Sequence, residues 1–468
     1  MWWVLGLISM LNFPLDPRLP GIPWRQAERQ WTQGHQHSAW IWTRYSFQNQ
    51  PVPGPTPSLS VTPEALGYLT DSSDLWEAHL SLHFRYAWRP LPFVSIQGQQ
   101  TFLTVGHQPA LPHYDVLYWP DFRLYTFDPN PIVGEQNLFE VRTDQALVRL
   151  HLPSGFVFLG KDRVRLGPGY RGSILLSGFA RPLTYLYNAH WEARRWAFTT
   201  FYAWLPDTFP QRRFALQRVE FQPWPWLSLG ATEGVLFSTP EDPLKYINPV
   251  DLYYVIQRRG RTNDDNLVAT VDVNWRIRPG LRWYAEFLDD DVIISGESVR
   301  NRSLWGYLTG FHLSKGAYDV RLEFAWIRKW TYTHYTHRNS VTFWGIPLGH
   351  WMGSDARNLY VEVSKTSDQQ VIASFVEVLE HGEGRLSVPL EEDPHAASYG
   401  KTPSGVVDRR IALGVYALKK NAFRKTSLGL LFRIDQIRNE RNVEGRNDLR
   451  LTLVFWGSLP TWTLPLPW

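Results

Sequence analysis

The stretch WEAHLSLHFRYAW, residues 76–88, decides the fold class. Every even position carries an apolar side chain, from Trp76 to Trp88, whereas five of the six odd positions are polar. A period of two places successive side chains on opposite faces of a β-strand, so the stretch predicts a strand whose two faces meet different solvents. Twelve steps of about 3.3 Å, tilted by about 40°, rise roughly 30 Å, which approaches the apolar band and aromatic girdles of a transmembrane β-barrel.

The same alternation recurs at residues 267–275, 318–326 and 449–455. Soluble antiparallel sheets also alternate, but a sandwich core has no need of aromatic residues at its strand ends. At about 20 to 25 residues per strand and turn, the roughly 400 residues after the N-terminal region suffice for 16 to 18 strands. The pattern therefore predicts an all-β protein, a large antiparallel transmembrane β-barrel of about 16–18 strands, with a small, partly helical N-terminal periplasmic element.

Composition excludes several function classes. The 468 residues include no cysteine, which removes disulfide scaffolds, thiolate metal sites and cysteine nucleophiles. The 48 Lys and Arg nearly balance 44 Asp and Glu, so a nucleic-acid partner is not expected. The body of the chain has no apolar run of 18 residues, so a membrane role requires a barrel. No motif indicates a cofactor or a metal site.

Composition shifts predict four regions. Residues 1–20 are an apolar segment, read as a secretory signal or as a buried N-terminal element. Residues 21–70 form an N-terminal element with a Pro-rich connector at 50–63, residues 71–456 the barrel, and residues 457–468 an aromatic tail. The closing strand is expected at 447–456, because Pro465 and Pro467 oppose regular ladder pairing beyond it.

A glycine-dense segment, DRVRLGPGYRGSILLSGFARP at residues 162–182, surrounds Tyr170. Glycines at this density permit positive φ angles or a close backbone approach, so the segment is expected to be tightly shaped. An irregular barrel turn is the alternative. The structural motif is assigned to Gly167, Gly169, Gly172, Ser173 and Pro182.

This segment resembles a recognisable feature of the capsule assembly protein Wzi family of outer-membrane proteins. The matching positions are Arg163, Gly167, Gly169, Tyr170, Gly172, Ser173, Leu175, Leu176, Ser177, Ala180, Arg181 and Pro182. Residues 247–260 with the stretches that follow them, and residues 349–364, are similar to the family as well. The resemblance runs from about residue 70 onward. It implies an outer-membrane barrel with a helical periplasmic element, which holds capsular polysaccharide in a lectin-like manner.

Further residues are candidates for contact with acidic sugars. Arg258 and Arg259, beside Tyr253, can offer bidentate hydrogen bonds and stacking, although pairing with interior acids is an equal alternative. Arg163, Tyr170 and Arg171 join them from the glycine-dense segment. Glu286 and Asp290 would share one face of a strand. They complete the predicted polysaccharide-binding set, and as a carboxylate pair they also permit a glycosidase. An ordinary strand end leading into an acidic loop is the alternative.

The sequence thus predicts a non-enzymatic, monomeric protein in the outer membrane of a diderm bacterium. It would need outer-membrane lipid and the barrel-assembly machinery, and its ligand would be capsular or other surface polysaccharide. The alternatives are a diffusion porin or, from the enzyme class, a soluble β-rich glycosidase using Glu286 and Asp290.

Overall fold

The computed structural model describes most of the chain. The described residues are 25, 28, 29, 31–33, 54–70, 76–107, 139–208, 211–238, 242–259, 264–290, 304–335, 337–389, 392–393, 401–423 and 426–465. The predicted apolar segment 1–20 lies outside them. No helix among these residues is long and apolar enough to span a membrane.

One antiparallel sheet contains nineteen of the described strands. They are β1 (Ser58–Thr70), β2 (Trp76–Leu91), β3 (Val94–His107), β4 (Phe139–Leu152), β5 (Gly155–Asp162), β8 (Leu183–Glu192), β9 (Trp196–Leu205), β10 (Arg212–Trp224), β11 (Leu227–Phe237), β12 (Asn266–Arg278), β13 (Leu281–Asp290), β14 (Trp305–Lys315), β15 (Tyr318–Ile327), β18 (Ala356–Thr366), β19 (Gln370–His381), β20 (Asp408–Phe423), β21 (Thr426–Arg438), β22 (Asp448–Ser458) and β23 (Trp462–Pro465).

Shorter elements lie between these strands. They are the strand pair β6 (Arg165–Leu166) and β7 (Leu176–Ser177), the pair β16 (Thr342–Phe343) and β17 (Ile346–Pro347), helix α1 (Tyr253–Arg259) and the 3-10 turns His337–Asn339 and Glu440–Asn442. Residues 25, 28, 29, 31 and 32 are also helical.

The sheet closes on itself through β1. One edge of β1 pairs with β2, and the other pairs first with β22 and then with β23. Because β22 and β23 lie end to end on the same edge, the ring is 18 strands wide. The Thr62 and Thr461 hydroxyls lie 2.8 Å apart at this seam. The predicted fold class is confirmed.

Two predicted boundaries at the seam are wrong. The barrel begins at Ser58 rather than at residue 71. Pro63 does not prevent this, because it lies opposite residues 459–461, where the ladder is interrupted and a missing N–H costs little. Residues 462–465 of the predicted tail are a strand of the wall. Pro465 pairs with Ser58 as the last residue of β23, which pairs with β1 alone among the described strands, so that proline is tolerated there as on an edge strand.

The alternation places apolar side chains on the outside of the wall. In β15, Val320 and Leu322 are each 40% exposed, whereas Asp319 and Arg321 are each 1% exposed. The exposed side chains form the outer surface, and the buried charged ones point into the lumen. The strand predicted at 318–326 is therefore confirmed, with the polarity of a transmembrane barrel.

The two ends of the barrel differ. At one end, here called the turn end, two-residue connections such as 92–93, 153–154 and 279–280 join neighbouring strands. The other end, called the loop end, carries longer connections, including residues 163–182 and 328–355. Both of these fold into the lumen. They bring Ile174, Val341 and Ile346 into one core with inward residues of the wall.

Inward side chains of β5 and of β9 to β11 form an apolar core with these two connections. Phe158, Phe201, Phe214 and Leu236 point inward from the wall and are each fully buried. These inward positions are apolar because they face other side chains of the protein instead of water.

Candidate functional site

The glycine-dense segment 163–182, here called the lumen loop, is held by a carboxylate of the wall. Glu286 on β13 accepts hydrogen bonds from the Gly169 N–H at 2.7 Å, from the Ile174 N–H at 2.8 Å and from the Ser173 hydroxyl at 2.8 Å. β6 and β7 pair at the base of the loop. Because three donors converge on one buried carboxylate, the loop has a defined shape.

A second carboxylate holds the tip of the loop. Glu323 on β15 accepts the N–H groups of Tyr170 and Arg171, the latter at 2.8 Å. The Arg171 side chain reaches Glu377 on β19 at 2.5 Å and lies over the ring of Tyr360, 4.3 Å from its centroid. The neighbouring strands β15, β18 and β19 therefore hold both the backbone at the tip of the lumen loop and the side chain of Arg171.

Two glycines of the loop have no room for a side chain. Gly167 has a φ of +120°, which L residues rarely adopt. A Cβ on Gly169 would lie 2.2 Å from the carbonyl oxygen of Gly172. The close backbone approach expected from the sequence is present at these positions.

Glu362 on β18 joins the lumen loop to the N-terminal helical residues. Tyr170 donates its phenol hydrogen to this carboxylate at 3.0 Å, and Tyr416 does so at 2.8 Å. Arg25 and Arg321 bind the same carboxylate at 2.8 and 3.2 Å. Burial raises the pKa of Tyr170 well above its ordinary value, so the phenol keeps its proton and remains a donor.

The N-terminal helical residues enter the lumen from the turn end. The Gly280 N–H, in a turn between β12 and β13, donates to the Thr32 carbonyl at 2.7 Å. Deeper in the lumen, Glu28 pairs with Arg282 and with Arg321. Burial alone would raise the pKa of Glu28, but the neighbouring cationic groups hold it below its ordinary value.

Arg282 touches both inserted segments. Its Nη1 atom binds Glu28, and its Nη2 atom donates to the carbonyl of Pro168 at 2.7 Å. The lumen loop, from the loop end, and the N-terminal helical residues, from the turn end, therefore meet near the wall formed by β13 to β20. Both inserted segments lie on this side of the lumen.

A miniature hairpin of residues 342–347, here called the rim hairpin, presents an aromatic ring at the loop end. Its two central residues, Trp344 and Gly345, have φ angles of 55° and 73°. Positive φ at both positions is what a tight two-residue hairpin turn requires, and it is unusual for tryptophan. The Trp344 ring is 38% exposed, and the Arg181 guanidinium lies 5.3 Å from its centroid.

Polar contacts hold the rim hairpin in place. The Trp344 N–H donates to Asp207 at 2.7 Å, and Asp207 pairs with Arg212 at 2.6 Å. Arg212 also donates to the carbonyl oxygens of Arg338 and Ser340 at 2.7 and 2.8 Å. The exposed ring of Trp344 thus stands on a fixed backbone, which suits an aromatic contact surface.

The two predicted carboxylates share one inward face of β13, as expected for a strand. Glu286 is 3% and Asp290 2% exposed, and Asp290 accepts the Tyr332 N–H at 2.6 Å. Both carboxylates are engaged by segments that fill the lumen. No group of three or more metal-ligating side chains occurs in the part of the chain that the structure describes.

Helix α1 and its predicted residues lie on the outer wall, not in the lumen. The fully buried Tyr253 belongs to a cluster with Tyr202, Val235 and Leu267, which lie on outward positions of neighbouring strands. Glu233 accepts the N–H groups at the start of the helix, at 3.0 Å from Tyr253. Helix α1 therefore lies on the outside of the wall, away from the acids of the lumen.

The remaining predicted residues are placed as follows. Arg259 is exposed, and the side chain of Arg258 lies outside the described residues. Arg163 is half-buried and donates to the Gly178 carbonyl at 3.4 Å. Gly172, Ser173 and Pro182 are buried within the lumen loop. The structure brings Tyr170, Arg171 and Glu286 together and keeps Tyr253 and Arg259 apart from them.

The sequence did not single out Trp344 or Glu362. The only local signal for the rim hairpin is Gly345 between two short apolar pairs, which is weak evidence for a turn. For Glu362, the partners are distant in sequence: Arg25 lies 337 residues away.

A closed antiparallel wall with an apolar exterior and two segments inserted into its lumen defines an outer-membrane β-barrel with internal loops. The chain belongs to the capsule assembly protein Wzi family, whose family model matches residues 116–420. No match was found among curated protein sequences.

The structure of one member of this family shows the same fold, and a second solved structure is reported beside it. Wzi of Escherichia coli has a TM-score of 0.56 and 14% identity, covering 87% of this chain and 85% of that one. It is described as an outer-membrane protein involved in group 1 capsule assembly and as a carbohydrate-binding β-barrel. The outer-membrane protein OprD of Pseudomonas aeruginosa has a TM-score of 0.49 and 8% identity, covering 88% and 94%.

Proposed function

We propose that this outer-membrane barrel binds capsular or related surface polysaccharide at its loop end, without catalysis. Family membership supports the role in capsule assembly, and carbohydrate binding is the property named for the Escherichia coli structure. The observation that carries the proposal within this chain is Trp344, a half-exposed ring on a fixed, strained turn beside Arg181.

The chemistry of that surface fits an acidic polysaccharide. An indole ring offers an apolar face to the C–H groups of a sugar, and a guanidinium offers paired donors to a carboxylate. The exposed ring of Tyr335 belongs to the same inserted connection. Repeated weak contacts along one polymer would retain it without a single tight site.

The predicted residues within the lumen have a positioning role in this proposal. Tyr170, Arg171, Glu286 and Asp290 are buried, and their partners belong to the wall or to the inserted segments. They would act by holding the two loop-end connections in shape. Exposed Arg259, on the outer wall, remains a candidate for direct contact with the polymer.

The proposal places the loop end on the outside of a diderm cell, because outer-membrane barrels have short periplasmic turns and longer extracellular loops. The protein would be inserted by the barrel-assembly machinery, surrounded by outer-membrane lipid, and would act as a monomer.

A polysaccharide pull-down with purified protein tests the proposal. Trp344→Ala should lower retention of an acidic capsular polysaccharide, whereas Trp224→Ala should not. Trp224 is a suitable control because it is a 51% exposed tryptophan next to a short connection at the turn end. Equal retention by wild type and Trp344→Ala would contradict the assignment of the contact surface.

A diffusion porin is the second candidate, and bilayer conductance separates the two. The segments that occupy the lumen beside β13 to β20 favour polymer binding over free diffusion. We expect no stable single-channel steps from the wild-type protein. Regular open channels together with no polymer retention would favour the porin. A glycosidase would release reducing sugar from the polymer, and none is expected.

A further inference from the structure

Charged side chains form a single row on the outside of the wall near the loop end. Arg357, Glu380, Arg409 and Arg438 lie on the successive strands β18, β19, β20 and β21, and each is the direct cross-strand neighbour of the next. We call these four residues the charge row. Glu380 binds both Arg357 and Arg409. The side chains of those two arginines remain 46% and 48% exposed.

The charge row has a net positive charge that is not neutralised within the row. The row contains three guanidinium groups and one carboxylate, and the carboxylate binds two of the three. Glu380 is only 5% exposed, because its two arginine neighbours cover it. Arg438 is exposed and has no ion-pair partner among the described residues. The row therefore offers unused guanidinium donors to the outside of the barrel.

The row lies at the edge of the apolar band. On β20, the outward positions between Arg409 and Lys419 are Ile411, Leu413, Val415 and Ala417. Ten steps of about 3.3 Å, tilted by about 40°, rise roughly 25 Å, the height of the apolar band of an outer-membrane barrel. On β15, the neighbour of β18, Trp326 is the cross-strand neighbour of Arg357. Tryptophan at this height marks the membrane interface.

An apolar groove of about 380 Å³ lies on the same strands, within the band. Its floor is at Ser374, the smallest outward side chain of β19, which lies between Val363 and Val415 on the neighbouring strands. Phe432 on β21 lines the groove as well. Ser374 is six residues from Glu380, which is roughly 20 Å along the strand.

We propose that the outer wall of β18 to β21 is a binding site for a phosphorylated lipid of the loop-end leaflet. The charge row would bind the phosphates of the head group, and the groove would hold an acyl chain. Guanidinium groups present a fork that matches two phosphate oxygens, and a cationic row at the height of the head groups lies where lipid phosphates are found. The coincidence of these arginines and the groove on the same four strands favours one lipid over two separate ligands. The site is independent of polysaccharide binding at the rim hairpin.

Lipid binding by the full-length protein in an uncharged detergent tests the proposal. The probes are lipid A with two phosphates and the same lipid A after removal of both. The charge-row variant is R357Q/E380Q/R409Q/R438Q, which removes the carboxylate with its partners and so leaves no unpaired charge. The matched control is K365Q/K419Q, which removes two exposed cations at the opposite edge of the apolar band.

Wild type should bind phosphorylated lipid A more tightly than the dephosphorylated form. The charge-row variant should bind phosphorylated lipid A about 25-fold more weakly, because the row carries two net charges and each is worth roughly a factor of five near a lipid surface. The lysine variant should bind like wild type. Ser374→Phe, which fills the groove, should weaken binding of both lipids.

Three results would each overturn the site: equal binding of both lipids by wild type, unchanged binding by the charge-row variant, or an equal loss in the lysine variant. Heat-modifiable gel mobility establishes that each variant is folded. If the charge-row variant does not assemble, Arg438→Gln alone serves instead. It removes one exposed guanidinium and should weaken binding by about fivefold, and no change would again overturn the site.

Discussion

The Tyr170 hydroxyl lies 3.0 Å from a carboxylate oxygen of Glu362, and Arg25 binds the same carboxylate at 2.8 Å. Tyr170 belongs to the lumen loop, which enters from the loop end, whereas Arg25 enters with the N-terminal helical residues from the turn end. Glu362, like Arg282, is thus a point at which segments from both ends of the barrel are joined to the wall.

Replacement of Glu362 should therefore be far more damaging than replacement of Tyr170. Glu362→Ala leaves Arg25 and Arg321 buried without this carboxylate, which should cost about 3 to 5 kcal/mol in the free energy of unfolding. Tyr170→Phe removes one hydrogen bond and should cost about 1 kcal/mol. Urea unfolding in detergent micelles measures both, and equal losses would contradict the assigned role of Glu362.

Docking of the N-terminal helical residues should depend on pH through Glu28. Its pKa is lowered from the ordinary value of 4.5, so the unfolded chain takes up a proton before the native protein does. The stability that Glu28 contributes is present above that ordinary value and is lost as the pH falls through the lower native pKa. The difference in unfolding midpoint between wild type and Glu28→Gln should therefore shrink as the pH is lowered from neutral to below 4.5. A constant difference over this range would contradict the prediction.

A methyl group at Gly169 should distort the lumen loop. Its Cβ would lie 2.2 Å from the Gly172 carbonyl oxygen, so the backbone must shift, at a cost of about 1 to 3 kcal/mol. Gly54→Ala is the control, because a Cβ there meets no atom within 4 Å. Hydrogen exchange of residues 163–182 should accelerate in Gly169→Ala alone, and equal exchange in both variants would show that the space around Gly169 is not restrictive.

The rim hairpin should become more stable when its tryptophan is replaced by a residue that tolerates positive φ. Trp344→Asn should gain about 1 kcal/mol locally and slow the hydrogen exchange of residues 341–348, because asparagine adopts this conformation at low cost. The same variant should retain less polysaccharide. A loss of local stability would show that packing of the ring outweighs the backbone strain.

The wall could be predicted from sequence because its signal is local. The alternation in 76–88 and 318–326 reports the two environments of each strand directly, without knowledge of any partner. The boundaries at the seam could not be predicted in this way. Pro63 is tolerated only because the ladder is interrupted opposite it, and that interruption lies on a strand far away in the sequence.

The interior was less accessible to prediction. The glycines of the lumen loop indicated a tight backbone, but its partners come from four strands, and Glu377 lies 206 residues from Arg171. The same limit applies to Tyr253, because only the folded wall determines that the apolar face of its helix covers the outside of β9 to β12.

The pairing of β1 with β22 and β23 has a consequence for biogenesis. Thr62 and Thr461, which meet at the seam, are 399 residues apart along the chain. Until the last strands have been synthesised, β1 presents an unpaired edge open to aggregation, and the cylinder stays open. Closure of the barrel must therefore follow synthesis of β22 and β23, and until then the free edge of β1 is a site at which the chain can aggregate.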